Sequence, residues 1–355
     1  MQIRLVIGEH DERYLNNLVR FLEKNYLDKL EIFSFSSPQM LEHHLASGSA
    51  DVILIDENFG MKAKEAEKYG KTAYLCDNAS ETEKDGVRTI AKFKKPDLIY
   101  KDILDLYAEG GNRAAFGSGS GYFGNLVLVT SCSGGTGAST FGAALARQYA
   151  SKGKKTLYLN LEPMGSSADF FSGSGNYRFE DVIFALKSRR ADVLLKMEST
   201  VRTDRSGVSF FEPCSTSMYM LELTHEDIIK TLDTLRSSRT YDYVVIDMNL
   251  KISKEFMEIL GRMNRIILVQ DGAETSNTKF ARTMEAIGIL EEQMQMNVTG
   301  VMSLLYNRFS SSKSSREIPG LKLPVLGKIP PIKHALVNEI IEYIGKEMQG
   351  VFEGL

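Results

Sequence analysis

Between Leu126 and Thr140 the chain reads LVLVTSCSGGTGAST. Gly134, Gly135 and Gly137 follow a run of aliphatic and β-branched residues, and Ser139 and Thr140 then open the amphipathic stretch FGAALARQYASKG. This order predicts a buried strand, a tight loop and a helix. Backbone N–H groups converge in such a loop and the positive end of the helix reinforces them, so the ligand they suit is a phosphate. Glycine lets the backbone approach the anion closely. A glycine-serine tether would have no reason to lie between an apolar strand and a helix. Further on, YDYVVIDMN predicts a buried strand that closes on Asp247. A carboxylate at a strand end beside a phosphate loop suits Mg2+ held through a water, with the Ser139 hydroxyl as the direct metal ligand.

The loop resembles the deviant Walker A loop of the MinD/ParA family: a signature Lys, two Gly, any residue, Gly, Lys, then two Ser/Thr. Here the frame is Ser133, Gly134, Gly135, Thr136, Gly137, Ala138, Ser139 and Thr140, so both family lysines are replaced. The resemblance covers residues 125 to about 345. It implies ATP and Mg2+ as cofactors and puts Asp247 in the Walker B place. The family's Asp-x-Asp, whose second carboxylate positions the attacking water, corresponds to Asn160 and Glu162. Glu162 carries its carboxylate one methylene further out, and a misplacement of about 1 Å can cost on the order of 100-fold in rate. Asn307, followed by Arg308, matches the family's adenine contact, and Pro330 in LPVLGKIPP matches backbone that lines the base. On residue type alone Asn307 is a turn former after a strand. Lys251 and Arg178 are the cations considered as substitutes for the missing lysines.

The elements that must position these groups fall in two domains separated by EGGNRAAFGSGSGYFG at 109–124, a Gly/Ser-rich linker. Residues 1–108 alternate apolar strands and amphipathic helices, which implies a doubly wound α/β sheet. They resemble a response-regulator receiver domain, (βα)5, whose phosphoacceptor aspartate corresponds to Asp56. The metal-holding acidic pair is represented by Gly8 and Glu9, with Asp11 beyond. Lys95-Pro96 matches the family's Lys-Pro, and Cys76 stands for a hydroxyl residue. One retained acid makes a weak cation site, so the domain reads as a pseudo-receiver. Residues 125–355 read as a second doubly wound domain, a MinD/ParA-like P-loop NTPase fold.

The 355 residues with 43% hydrophobic content are ample for two cores. Cys76, Cys132 and Cys214 are too few and too scattered for a disulfide framework or a zinc site. A net charge of −3 offers no general reason to bind nucleic acid. No apolar run is long enough to span a membrane and no signal pattern opens the chain, which points to the cytoplasm. ALVNEIIEYIGKEMQGVF predicts an amphipathic helix whose acidic polar face suits packing on the sheet better than anionic lipid.

A receiver-like domain ahead of a MinD/ParA-like domain resembles the TadZ/CpaE family of pilus-assembly factors. That implies an ATP-binding homodimer, with nucleotide in its interface, that recruits tight-adherence secretion machinery at a cell pole or assembly site. Membrane association would come through partners, without sequence-specific nucleic acid. Loss of both lysines makes it at most a weak ATPase. The alternatives are an active partitioning or positioning ATPase, a phosphorelay regulator with an NTPase-like output domain, or a metabolic ligase on the same fold.

Overall fold

The computed structural model describes residues 2–48, 50–109, 124–188, 192–310 and 315–353. The linker expected at 109–124 therefore lies almost wholly outside the described residues. Two compact units are formed, one from 1–118, 175–177 and 184–200, the other from 119–174, 178–183 and 201–355. Where composition suggests a single linear boundary, the first unit also recruits segments from well beyond it.

The first unit is built on β1 (Ile3–Gly8), β2 (Leu30–Phe35), β3 (Val52–Asp56), β4 (Lys71–Cys76), β5 (Glu83–Lys84) and β6 (Val87–Ala91), in the spatial order β2-β1-β3-β4-β6-β5. All neighbours pair in parallel except β5 and β6. The helices are α1 (Glu12–Tyr26), α2 (Pro38–Ser47), the single turn α3 (Ala63–Ala66) and α4 (Pro96–Glu109). The receiver order is thus present, but the helix that a (βα)5 repeat requires between its fourth and fifth strands is replaced by the β5–β6 hairpin. The cause is local: Asp85 and Gly86 both take left-handed backbone, at φ 53° and 75°, and an Asp-Gly pair of that kind closes a two-residue hairpin.

Helix α4 buries nine of its fourteen residues, Asp102 and Asp105 among them. Its outer face is covered by the helix Val193–Thr200, whose Leu195 joins the β1–β3 core. Lys196 and Ser199 both reach Asp105, and the Tyr177 hydroxyl donates to Asp102 at 2.6 Å. Leu195 alone contributes about 1.5–3 kcal/mol of apolar burial.

The second unit contains β7 (Asn125–Thr130), β8 (Thr156–Asn160), β9 (Arg202–Thr203), β10 (Ser209–Phe210), β11 (Tyr243–Asp247), β12 (Arg265–Gln270), β13 (Met302–Tyr306) and β14 (Val325–Lys328). Their order is β14-β13-β12-β7-β11-β8-β10-β9, parallel throughout except for β9 with β10. Chain progression reverses at β7, so the loop after β7 sits at the switch point of an open sheet, where such folds bind ligands. The loop runs into α5 (Ala138–Ser151), whose alanines favour helix and let it lie close to the sheet. Gly142 marks the closest approach: a Cβ there would stand 3.5 Å from Tyr158 and 3.6 Å from Val129.

The expected C-terminal amphipathic segment divides at Met348 into Val337–Glu347 and Gln349–Glu353. Ile341, Ile344, Met348 and Phe352 are buried in one core with Phe141 of α5, Leu305 and Ile329. Leu336 and Val337, apolar residues at the start of that segment, are exposed because they precede or open the helix. Among the described residues no helix is long and apolar enough to cross a membrane.

Candidate functional site

The loop after β7 forms the floor of a cleft of about 250 Å3 lined by Thr130, Ser131, Gly134 to Thr140, Glu162, Asp247, Met248, Asn249 and Arg308. Gly135 and Gly137 adopt φ 78° and 87°, which only glycine tolerates without strain. Gly137 is also the N-cap of α5, so the loop turns directly onto the positive end of that helix. Thr130, Ser133 and Thr136 bury hydroxyl oxygens that have no protein partner. A glycine-lined cradle with spare hydroxyls at a helix N-terminus fits a phosphate chain.

Sheet register delivers the acids. Asp247 lies level with Val129 of β7 and with Asn160 of β8 at the carboxyl edge. Its carboxylate is buried and accepts a 2.6 Å hydrogen bond from the Tyr158 hydroxyl, with Asn160 Nδ2 at 3.5 Å. Ser139 lines the same cleft as Asp247. Burial pushes Asp247 up from 3.8 to about 6, against the Tyr158 and Ser139 hydrogen bonds and with the help of nearby Glu162. A desolvated carboxylate beside a hydroxyl and a phosphate cradle fits a divalent cation, and Ser139 and Asp247 would hold Mg2+ there. Glu162 lines the same cleft, and its N–H donates to Asn160 Oδ1 at 3.0 Å. Asn160, in the place of the family's first aspartate, thus shapes the turn that carries Glu162.

Asn307 lies directly after β13 and reaches the backbone of the glycine loop. Its buried amide donates to the carbonyl of Thr136 at 2.7 Å, and a Cβ on Gly137 would come within 2.5 Å of Nδ2. Asn307 braces the phosphate loop from below and is not among the residues lining the cleft. Pro330 is exposed and follows Ile329, whose backbone pairs with Tyr306 and Phe309. Ser133 is buried and offers only a hydroxyl, and Ala138 packs against the core around α5, so neither position presents a cation that replaces lysine. Of the two substitute cations considered, Arg178 is held by the Pro213 carbonyl and Lys251 lines a neighbouring cavity. Arg308, named in the sequence only as the residue after Asn307, holds its guanidinium at the loop with Nη1 2.8 Å from the Gly135 carbonyl. Its signal was its place directly after Asn307 at the end of a buried strand.

In the first unit Asp56 ends β3 with 1% exposure, and Glu9 is fully buried. Lys92 bridges them, with Nζ 2.6 Å from Asp56 Oδ2 and 2.8 Å from Glu9 Oε2. Lys95, which matches the family's Lys-Pro pair, is exposed; β6 ends at Ala91, and Lys92 is the residue delivered to the carboxyl edge. Burial alone would lower the Lys92 pKa, but the two ion pairs outweigh it and raise it. Asp11 serves as the α1 N-cap, accepting from the N–H groups of Arg13 and Tyr14, while His10 Nδ1 approaches Asp56 Oδ1 at 3.1 Å. Cys76 is buried at the end of β4, and burial pushes its thiol up to about 11.

The switch-point loop, the Ser139 and Asp247 side chains in one cleft and the parallel strand order give the second unit a doubly wound α/β fold similar to that of MinD/ParA-type proteins. Residues 1–108 match the family described as TadZ-like, receiver domain. The chain is 23% identical over 216 residues to the septum site-determining protein MinD of Buchnera aphidicola, covering 58% of this chain and 77% of that protein. MinD of Escherichia coli K12 is 24% identical over 201 residues, 54% and 69% of the two chains. Among solved structures, a plasmid partition protein of Borrelia burgdorferi bound to AMPPNP aligns with a TM-score of 0.49 at 19% identity, over 65% of this chain and 97% of that one. MinD of Pyrococcus horikoshii complexed with Mg-ADP aligns with a TM-score of 0.49 at 18% identity, over 64% and 93%.

Proposed function

We propose that this chain binds Mg-ATP in the loop cleft and uses it for assembly: a dimerising localisation or assembly factor of a tight-adherence pilus secretion system, with weak or absent hydrolysis. One observation carries the reading. The cleft keeps a phosphate cradle and a Ser139–Asp247 metal pair, while Ser133 and Ala138 stand at both lysine positions. A charge-assisted bond to phosphate is worth roughly 1.5–3 kcal/mol, and a cation delivered across an interface on the order of 1000-fold in rate. Hydrolysis suffers from both losses, whereas backbone amides and metal still support binding. Nucleotide that binds the dimer preferentially shifts monomer to dimer. The TadZ-like match of the first unit supports the pilus setting.

Calorimetry with Mg-ATP, run beside a turnover assay and sedimentation with and without nucleotide, tests the reading. Binding with slow turnover and a doubled mass is expected. An unchanged mass at saturating Mg-ATP would remove the assembly role, and salt-sensitive DNA binding would favour a partitioning ATPase instead.

A further inference from the structure

We propose that Arg308 is the phosphate-facing cation of the cleft, standing in from the turn after β13 for the lysines missing from the loop and from α5. The inference rests on the nucleotide reading above. The charged residues lining the cleft are Glu162, Asp247 and Arg308. Two carboxylates would repel a polyphosphate, and a divalent metal at Ser139 and Asp247 would at most balance those two charges and leave the polyphosphate's own charge unmet. Arg308 is the basic side chain the described residues bring to that surface.

Its backbone supports the assignment. Arg308 takes φ 56°, a left-handed conformation that is costly for a residue with a side chain. That turn points two successive residues at two successive loop carbonyls: Asn307 at Thr136, 2.7 Å, and Arg308 at Gly135, 2.8 Å. Both carbonyls are thereby held on the side of β13, and Arg308 is anchored at the rim while remaining exposed. Its Nη1 donates to Gly135, which leaves further donors of a planar fork for a phosphate oxygen. No carboxylate claims it among the described residues.

A cation fixed to the loop before reaction begins binds ground state and transition state alike. It strengthens binding without accelerating turnover. On this proposal Arg308 supports nucleotide binding in a cleft whose loop carries no lysine.

The test is Mg-ATP titration calorimetry on the full chain with three variants, their folding checked by thermal melting. Arg308→Gln keeps a donor for the Gly135 carbonyl but removes the charge, and a 10- to 100-fold weaker affinity is expected. Arg308→Lys keeps the charge and stays within a few-fold of the parent. Arg308→Gln with Ala138→Lys recovers most of the loss. Parent-like affinity in Arg308→Gln would overturn the proposal and leave Arg308 a loop brace. If the parent chain itself does not bind Mg-ATP, the nucleotide reading fails first.

Discussion

Tyr158 and Asp247 meet across adjacent strands, the Tyr158 hydroxyl donating to Asp247 Oδ2 at 2.6 Å beneath the phosphate loop. The bond holds the carboxylate still and partly offsets its burial, yet Asp247 remains raised to about 6. Its native pKa lies above the unfolded value of 3.8, so its contribution to stability is fully present below 3.8 and is lost as pH rises through about 6.

Asp247→Asn should therefore stabilise the ligand-free protein above pH 6, by up to about 3 kcal/mol, with the gain vanishing near pH 4. The same variant should lose Mg2+-dependent ATP affinity. Denaturant melts across pH, with and without Mg-ATP, read both effects. A destabilised Asp247→Asn at pH 7.5 in the absence of ligand would contradict the account.

The Asn307 amide supports loop backbone, so Asn307→Ala should weaken ATP and GTP binding by the same factor. It should also destabilise the second unit by about 1–3 kcal/mol, the cost of stranding a buried carbonyl. Paired ATP and GTP titrations decide: a changed ATP:GTP ratio would make Asn307 a base reader.

Lys92 sits between Glu9 and Asp56, all three buried. Lys92→Met leaves two facing carboxylates and should cost about 3–5 kcal/mol, much of it returned by adding Glu9→Gln and Asp56→Asn. With the ammonium seated there, and Asp56 Oδ1 also accepting from the Asn58 N–H at 3.0 Å, a small phosphodonor should leave Asp56 unmodified. Intact-mass analysis after treatment checks this, and a phosphate-mass adduct at Asp56 would restore the phosphorelay reading.

Leu195 is fully buried in the first unit although it lies beyond the compositional boundary. Leu195→Ala should destabilise that unit by about 2–5 kcal/mol. Hydrogen exchange in β1, β3 and α4 reads the effect, and unchanged protection there would show that the helix Val193–Thr200 is dispensable to this core.

Much of this was legible along the chain. LVLVTSCSGGTGAST becomes β7, a glycine loop and α5 because apolar runs and left-handed glycines act within a few residues. Asp56 and Asp247 were legible as strand-end acids for the same reason. The hairpin at Asp85-Gly86 departs from the (βα)5 repeat that the resemblance implies, and Lys95 was favoured over Lys92 because Lys95-Pro96 matches the family's Lys-Pro pair.

The sequence by itself determined that buried strands close on Asp56 and Asp247 and that a glycine loop without lysine follows β7. These follow from periodicity and backbone freedom, both short-range properties. Tertiary structure alone decided that Lys92 neutralises Asp56, that Asn307 braces Thr136 across 171 positions, and that Arg308 reaches the cleft. Those pairings depend on sheet order and register, which bring strand ends together that no local pattern connects.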